Sequence, residues 1–221
     1  MPNTLASPAV AALLARLFTE ADAKDPGVLS TIQKEADAHY GGQRYHPSLA
    51  HLFDTAFMPV PPEVGQFLYV ITRSRRPKRI VEIGTSYGIS AIHFASALND
   101  NGEGRLISAE LSPAKVKAAR ANLQSLGLDR WVEIREGDAF ETLKSVETPI
   151  DILFLDGWKD FYLPLLKALE PQLAPGSLVI GDDSKLFPER LASYLAHVRN
   201  PAHYQSVDLA IGDGVEVSVK V

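Results

Sequence analysis

Apolar residues in this chain follow two different periods. Through about residue 77 they recur at helical spacing, and Val10, Leu13, Leu14 and Leu17 share one face of a helix predicted over 5–23. Asp25-Pro26-Gly27 is expected to end that helix, since proline has no amide proton for the helical ladder. A second helix is predicted over 28–39, closed by Gly41-Gly42, then a loop with Tyr45, His46 and Pro47 and a short apolar segment to Phe57. Met58-Pro59-Val60-Pro61-Pro62 must be largely extended, because each proline keeps the residue before it out of the helical region. Glu63 lies in the first turn of a further helix that carries Phe67, Leu68, Val70 and Ile71.

From Pro77 onward strand and helix patterns alternate, which is the signature of a parallel sheet covered on both faces. Strands are predicted over 79–83, 105–109, 131–135, 150–155 and 177–180. Helices are predicted over 90–98, 113–126, 139–146, 162–169 and 189–198. Pro113 suits the first turn of its helix and Gly127 the end. The last part differs: segments 204–209 and 215–219 flank Gly212-Asp213-Gly214, a hairpin signal. Val215, Val217 and Val219 alternate there with Glu216, Ser218 and Lys220, so only one face is buried. The pattern describes an α/β fold, with a helical extension over 1–77 and one compact unit over 78–221.

Composition narrows the function. With 221 residues, 46% of them hydrophobic and 22% charged, the chain suits a soluble globular protein with one sizeable core. Its apolar runs are far shorter than a membrane span, and its start lacks the basic and continuous apolar regions of a signal peptide. The absence of cysteine excludes disulfides, thiolate zinc sites and a cysteine nucleophile, and fits a cytoplasmic protein. A net charge of −5 argues against a nucleic-acid partner. The basic run Arg73-Ser74-Arg75-Arg76-Pro77-Lys78-Arg79 reads as cations closing a helix rather than as a phosphate patch.

In a parallel sheet, ligands bind beyond the carboxyl ends of the strands, and the candidate chemistry collects there. Val81-Glu82-Ile83-Gly84-Thr85-Ser86-Tyr87-Gly88 joins a strand to a helix, and Gly84 permits a tight turn with close backbone approach. The turn is not GxGxxG, and Glu82 suits the amino-acid end and ribose of S-adenosylmethionine better than a pyrophosphate. Glu110 ends the second strand, where a carboxylate can accept both hydroxyls of a ribose, although a helix-start acid fits too. Asp138 ends the third and could sit beside an adenine, or cap a helix. Together the three favour an adenosine. Asp156, Asp182 and Asp183 end the fourth and fifth strands; three converging carboxylates repel one another, and a hard cation such as Mg²⁺ relieves that. Asp183 could instead cap a turn. Lys159, near such a cation, becomes available as a base, though a solvated lysine is the plain alternative. The histidines at 39, 46, 51, 93, 197 and 203 show no ligand spacing.

Phe154-Leu155-Asp156-Gly157-Trp158-Lys159-Asp160-Phe161-Tyr162-Leu163-Pro164 resembles the metal-and-base segment of the catechol O-methyltransferases. Met58-Pro59-Val60-Pro61-Pro62-Glu63-Val64-Gly65-Gln66-Phe67-Leu68 is similar to the cofactor-covering segment that catechol and caffeoyl-CoA O-methyltransferases share. Tyr194-Leu195-Ala196-His197-Val198-Arg199 and His203-Tyr204-Gln205-Ser206 also resemble the catechol enzymes, so the likeness runs from about Met58 to Val221. The resemblance implies a Rossmann-like class I methyltransferase fold with seven strands, ordered 3-2-1-4-5-7-6 and mostly parallel. It implies Val60, Glu82, Gly84, Ser86 and Ser90 around the methionine part of S-adenosylmethionine, Glu110 at the ribose, and Leu111 also against the cofactor. Asp138, Ala139 and Trp158 would lie near the adenine. Asp156 would touch the cofactor and, with Asp182 and Asp183, hold Mg²⁺ or another hard divalent cation such as Ca²⁺ or Mn²⁺. Lys159 would be the general base, with Met58, Trp158 and Lys159 facing a small aromatic substrate that offers a catechol-like or vicinal-diol hydroxyl. A homodimer is expected from the same resemblance.

Two positions depart from the family pattern. Asp183 stands where the family usually has asparagine. The glutamate that precedes the final hairpin in the catechol enzymes has only Asp208 and Leu209 nearby. Rival readings are a metal-independent methyltransferase acting on another small molecule or RNA, a nicotinamide-dependent oxidoreductase, and a non-catalytic S-adenosylmethionine-binding protein. The missing GxGxxG speaks against the second, and Lys159 with the three aspartates against the third.

Overall fold

The run Ile152-Leu153-Phe154-Leu155 lies fully buried in the middle of the sheet, and its alternate residues serve two different cores. Ile152 and Phe154 pack with Ile80, Phe94 and Leu98 on one face, while Leu153 and Leu155 pack with Val81, Tyr162 and Leu166 on the other. A strand covered on both faces has to be apolar throughout, and this one is. The computed structural model describes residues 3–43 and 46–221; Tyr45 of the expected loop lies outside the described residues.

The central strand, β4 (Ile150–Leu155), pairs in parallel with β1 (Arg79–Ile83) and β5 (Leu173–Asp182). Beyond β1 lie β2 (Arg105–Glu110) and β3 (Val132–Glu136), also parallel. Beyond β5 lie β7 (Val215–Lys220) and the edge strand β6 (Tyr204–Leu209), both antiparallel to their neighbours. The order is therefore β3-β2-β1-β4-β5-β7-β6, as the resemblance implied. Strand order reverses between β1 and β4, and a crevice opens at their carboxyl ends.

Helices α1 (Pro8–His39), α2 (Pro62–Arg75), α3 (Ile89–Asn101) and α4 (Pro113–Ser125) contribute to the first core. Helices α5 (Ala139–Thr142), α6 (Tyr162–Leu169) and α7 (Ala192–Val198) belong to the second. Val10, Leu14, Leu17 and Ala21 of α1 share a core with Ile80 and Phe154, so the N-terminal helix is packed into the sheet layer. Among the described residues no helix is long and apolar enough to cross a membrane.

Several boundaries differ from the sequence pattern. The break expected at Asp25-Pro26-Gly27 does not occur: α1 runs through Pro26 for 32 residues. A proline inside a helix costs about 3 kcal/mol. The far half is held in line because Ile32 and Ala36 bury against Leu49, Phe53 and Ala56 in a third cluster. The short apolar segment is a 3-10 helix, Pro47–Thr55. Strand β5 begins at Leu173 instead of 177, because Ser177 repairs its irregular start: the Oγ accepts from the Ala174 amide and donates to the Ile150 carbonyl. Helix α5 stops at Thr142 and α7 starts only at Ala192.

The extended segment 56–61 crosses the sheet edge as a strap. Buried Asp25, inside α1, holds it with both oxygens: Oδ1 accepts from the Phe57 amide at 2.7 Å and Oδ2 from the Met58 amide at 2.8 Å. On its other side the Ser86 hydroxyl donates to the Phe57 carbonyl at 2.8 Å, and the Phe57 ring stacks on Tyr87 with centroids 3.8 Å apart. Met58, turned to a φ of +42°, stays 43% exposed. Replacing Asp25 with alanine leaves two backbone donors unpaired, at an expected cost of about 1–3 kcal/mol. Amide hydrogen exchange at Phe57 and Met58 should rise in Asp25→Ala well before exchange in β4 does; unchanged protection there would contradict the clamp.

Candidate active site

The turn after β1 is built against the turn after β4. The Asp156 amide donates to the Ile83 carbonyl, and Gly84 at φ +99° lies so close to the Asp156 carbonyl that no side chain would fit. Glycine is required here by both conformation and contact. The amides of Gly84 and Thr85 donate to the Ala109 carbonyl, tying the turn to the end of β2. Met58, Val60, Gly84, Ser86, Ser90 and Asp156 line one small cleft between strap and turn. Six of the positions singled out in the sequence thus come together.

Glu82 is fully buried, with one oxygen accepting from the Ser90 hydroxyl at 2.5 Å and the other from the Ser108 hydroxyl. It reaches the cleft through Ser90. Burial raises its pKa to about 7, with the Ser108 and Ser90 hydrogen bonds pulling the other way. Glu110 binds two amides, Ser86 at 2.8 Å and Ser112 at 2.9 Å, which orients its carboxylate along the rim. Leu111 beside it is 61% exposed. Exposed Asp138 accepts from the Phe140 amide at 2.9 Å, so it does cap α5, and Ala139 packs partly into the second core. Trp158 meets Phe53 edge to face with centroids 5.2 Å apart, joining the β4 turn to the 3-10 segment.

Across the turn from this cleft lies an acidic cluster. Ligand oxygens of Asp156, Asp182 and Asp183 all lie within 4.8 Å of one another. Strand register produces this: Leu155 pairs with Gly181, so the residues that follow, Asp156 and Asp182, leave the sheet side by side. Asp183 takes a left-handed φ of +63°, which aspartate tolerates better than most residues. Lys159 is buried with them, its Nζ 2.7 Å from Asp183 Oδ2 and 3.7 Å from Asp156 Oδ1. That nitrogen also donates to the Tyr162 hydroxyl at 2.7 Å. Lys159 is therefore no solvated lysine.

Burial and the Asp182 charge push Asp156 well above the usual carboxylate range, and burial with the Asp183 charge raises Asp182 to about 7. Burial would lower Lys159, but the pull of Asp156 and Asp183 outweighs it and holds the ammonium protonated. Asp182 Oδ1 is buried with no hydrogen-bond partner among the described residues. An orphaned carboxylate oxygen between two more carboxylates is a donor set suited to a hard divalent cation. Asp208 lies apart from this cluster, where it accepts from the Ser184 hydroxyl at 2.8 Å.

Two polar residues of the site were not read from the sequence. Tyr162 holds Lys159 and was read as part of an apolar helix; its place three residues after the lysine was the available signal. Asp25 clamps the strap from 32 residues away, and only its position beside Pro26 marked it.

Comparison with known proteins bears on this geometry. Residues 81–184 match the family model described as a methyltransferase domain. Catechol O-methyltransferase of Sus scrofa is 31% identical over 156 residues, which span 67% of this chain and 81% of that protein. The chain belongs to the catechol O-methyltransferase family. Catechol O-methyltransferase of Niastella koreensis is 34% identical over 128 residues, covering 56% of this chain and 57% of that protein. The first curated relatives are matched over 50 to 65% of their own lengths. Among solved structures, the SAH-bound Podospora anserina methyltransferase superposes with a TM-score of 0.68 over 94% of both chains at 20% identity, a likeness of fold.

Glu82 gives this family member a pH signature. Its native pKa of about 7 exceeds the ordinary 4.5, so between those values the native state keeps a proton that the unfolded chain has lost. Its contribution is fully present below about pH 4.5 and lost as pH rises through 7, about 3 kcal/mol in all. In Glu82→Gln that loss should vanish. Urea unfolding from pH 4.5 to 8 should show the variant gaining on wild type as pH rises; a pH-independent difference would count against a protonated buried Glu82.

Proposed function

We propose that this chain is an S-adenosylmethionine-dependent O-methyltransferase that uses a hard divalent cation and methylates a hydroxyl of a small catechol-like aromatic. The observation that carries this reading is the trio Asp156, Asp182 and Asp183, gathered around the buried Lys159 beside the cleft under the strap. Membership of the catechol O-methyltransferase family and the S-adenosylhomocysteine named for the Podospora neighbour support it.

On this reading the methionine end of the cofactor lies under Val60, against Gly84, Ser86 and Ser90, with Glu82 behind Ser90. Glu110 receives the ribose, and Leu111, Asp138, Ala139 and Trp158 surround the adenine. Asp156, Asp182 and Asp183 would hold Mg²⁺ or a similar cation, which when bound supplies Lewis acidity to the acceptor oxygen. Met58 and Trp158 position the aromatic ring. Lys159 Nζ, oriented by Tyr162 and Asp183, would take the acceptor's proton only as the neutral amine, the form favoured once a cation among the aspartates offsets the charges that now hold its proton. Ionising an ordinary phenol of pKa about 10 at neutral pH costs roughly 4 kcal/mol, so assistance at the oxygen is needed. The rest of the barrier falls to alignment of sulfur, methyl and oxygen, which the clamped strap and paired turns enforce.

A metal-independent transferase is a second reading, favoured by the Lys159 ammonium, which already balances part of the cluster's charge at 2.7 Å from Asp183. Transfer of labelled methyl from S-adenosylmethionine to catechol separates the two. EDTA is expected to abolish transfer while S-adenosylhomocysteine binding survives, and added Mg²⁺ to restore it; full activity in EDTA would sink the metal role. Asp183→Asn, which installs the family's usual residue, should keep measurable activity. Complete loss of Mg²⁺ binding in that variant would contradict the proposed ligand set.

A further inference from the structure

Two loops meet at the acidic rim, and two ion pairs of opposite sense join them. The Lys159–Phe161 turn follows β4, and residues 183–191 lead from β5 to α7 without helix or strand. Lys159 Nζ lies 2.7 Å from Asp183 Oδ2, while the next residue, Asp160, faces Arg190. The Arg190 Nε donates to Asp160 Oδ1 at 3.1 Å and its Nη2 to Oδ2 at 2.6 Å. Two such bonds from a planar guanidinium fix distance and angle together. The same guanidinium lies 5.9 Å from the centre of the Phe187 ring, within its own segment.

The two pairs differ in what else is asked of them. The inner one is nearly enclosed, and Asp183 also belongs to the trio whose oxygens suit a cation. An Asp183 oxygen that turns to a cation, or a Lys159 nitrogen that turns to an acceptor hydroxyl, weakens that pair. The segment after Asp183 is tied at its front to the β6–β7 turn through the Ser184 and Lys185 amides, and at its far end by buried Leu191. Those ties do not reach the β4 turn; the Asp160–Arg190 pair does. Asp160 is no member of the trio, and a guanidinium keeps its charge, so the outer pair persists when the inner one opens. With side chains 59% and 24% exposed, it adds little to stability. Its value is geometric, since a shift of about 1 Å at the reacting groups can cost roughly a hundred-fold in rate.

We propose that Arg190 is a positioning residue for Lys159, gripping Asp160 so that the β4 turn and the segment after Asp183 keep their spacing while the Lys159–Asp183 pair opens. This rests on the reading of Lys159 as the base beside a cation held by the three aspartates. Arg190 then acts on the step after binding, through the backbone that Asp160 shares with Lys159.

Methyl transfer to catechol by wild type, Arg190→Gln, Asp160→Asn and the double variant tests it, alongside titration with S-adenosylhomocysteine. Arg190→Gln is expected to lower kcat about ten-fold or more while S-adenosylhomocysteine affinity and melting temperature stay unchanged. Asp160→Asn should lose as much, and the double variant no more than either, because all three break one pair. Arg190→Lys should recover only part of the rate, since an ammonium cannot form the fork. With Mg²⁺ present, the Leu186 and Phe187 amides, which donate to the Asp183 carbonyl, should exchange faster in Arg190→Gln than in wild type. An unchanged kcat in Arg190→Gln overturns the proposal, as do additive losses in the double variant or unchanged amide exchange. A fall in melting temperature and S-adenosylhomocysteine affinity that accompanies the loss of kcat also overturns it and makes Arg190 structural. Wild type that transfers no methyl removes the reading of Lys159 on which the proposal rests, and the exchange difference at Leu186 and Phe187 tells that failure from a failure of the Arg190 grip.

Discussion

Charge crowding at the end of β4 is the constraint on which the rest of this structure depends. Asp156, Asp182 and Asp183 share a partly buried space, where like charges interact more strongly than at a surface. Lys159 offsets part of that repulsion, and it can do so only because Tyr162 and Asp183 hold its ammonium in place. Burial and mutual repulsion raise Asp156 and Asp182 above the usual carboxylate range, and one oxygen of Asp182 lacks any hydrogen-bond partner among the described residues. The cluster is thus a donor set whose chemistry suits a hard cation, set into a sheet whose two apolar cores keep its members from moving apart.

The same sheet edge carries the second half of the site, and the two halves meet through backbone contacts. Gly84 packs on the Asp156 carbonyl, and the Asp156 amide returns to Ile83, so the turn after β1 and the acidic cluster cannot shift independently. The strap closes over this junction without a strand of its own. It is secured by side chains from both sides, Asp25 below and Ser86 with Tyr87 above. Helix α1, which carries little of the family's sequence pattern, is therefore part of the machinery that positions Met58 and Val60.

Buried acids elsewhere in the crevice are treated differently, and the contrast explains the division of labour. Glu82 is enclosed with serine hydroxyls and can keep its proton near neutral pH, so it stabilises the turn without adding charge. Glu110 is only half buried and takes two amide donors, which fix its carboxylate at the rim. Burial thus makes one acid of the crevice a proton store, while another offers its oxygens at the rim.

Sequence alone determined the sheet, because the alternation of apolar strands and amphipathic helices leaves few ways to bury both faces, and the closing valine alternation marks the final antiparallel strand. It also determined the acids at the strand ends, since a carboxylate after an apolar run can only emerge at the rim. The neighbouring fourth and fifth strands then told which acids belong together. Tertiary structure alone decided the rest. Pro26 sits inside a continuous helix because Ile32 and Ala36 find Leu49 and Phe53, contacts between residues remote in sequence. Asp25 clamps the strap 32 residues away, and Tyr162 turns from core residue to lysine partner, for the same reason.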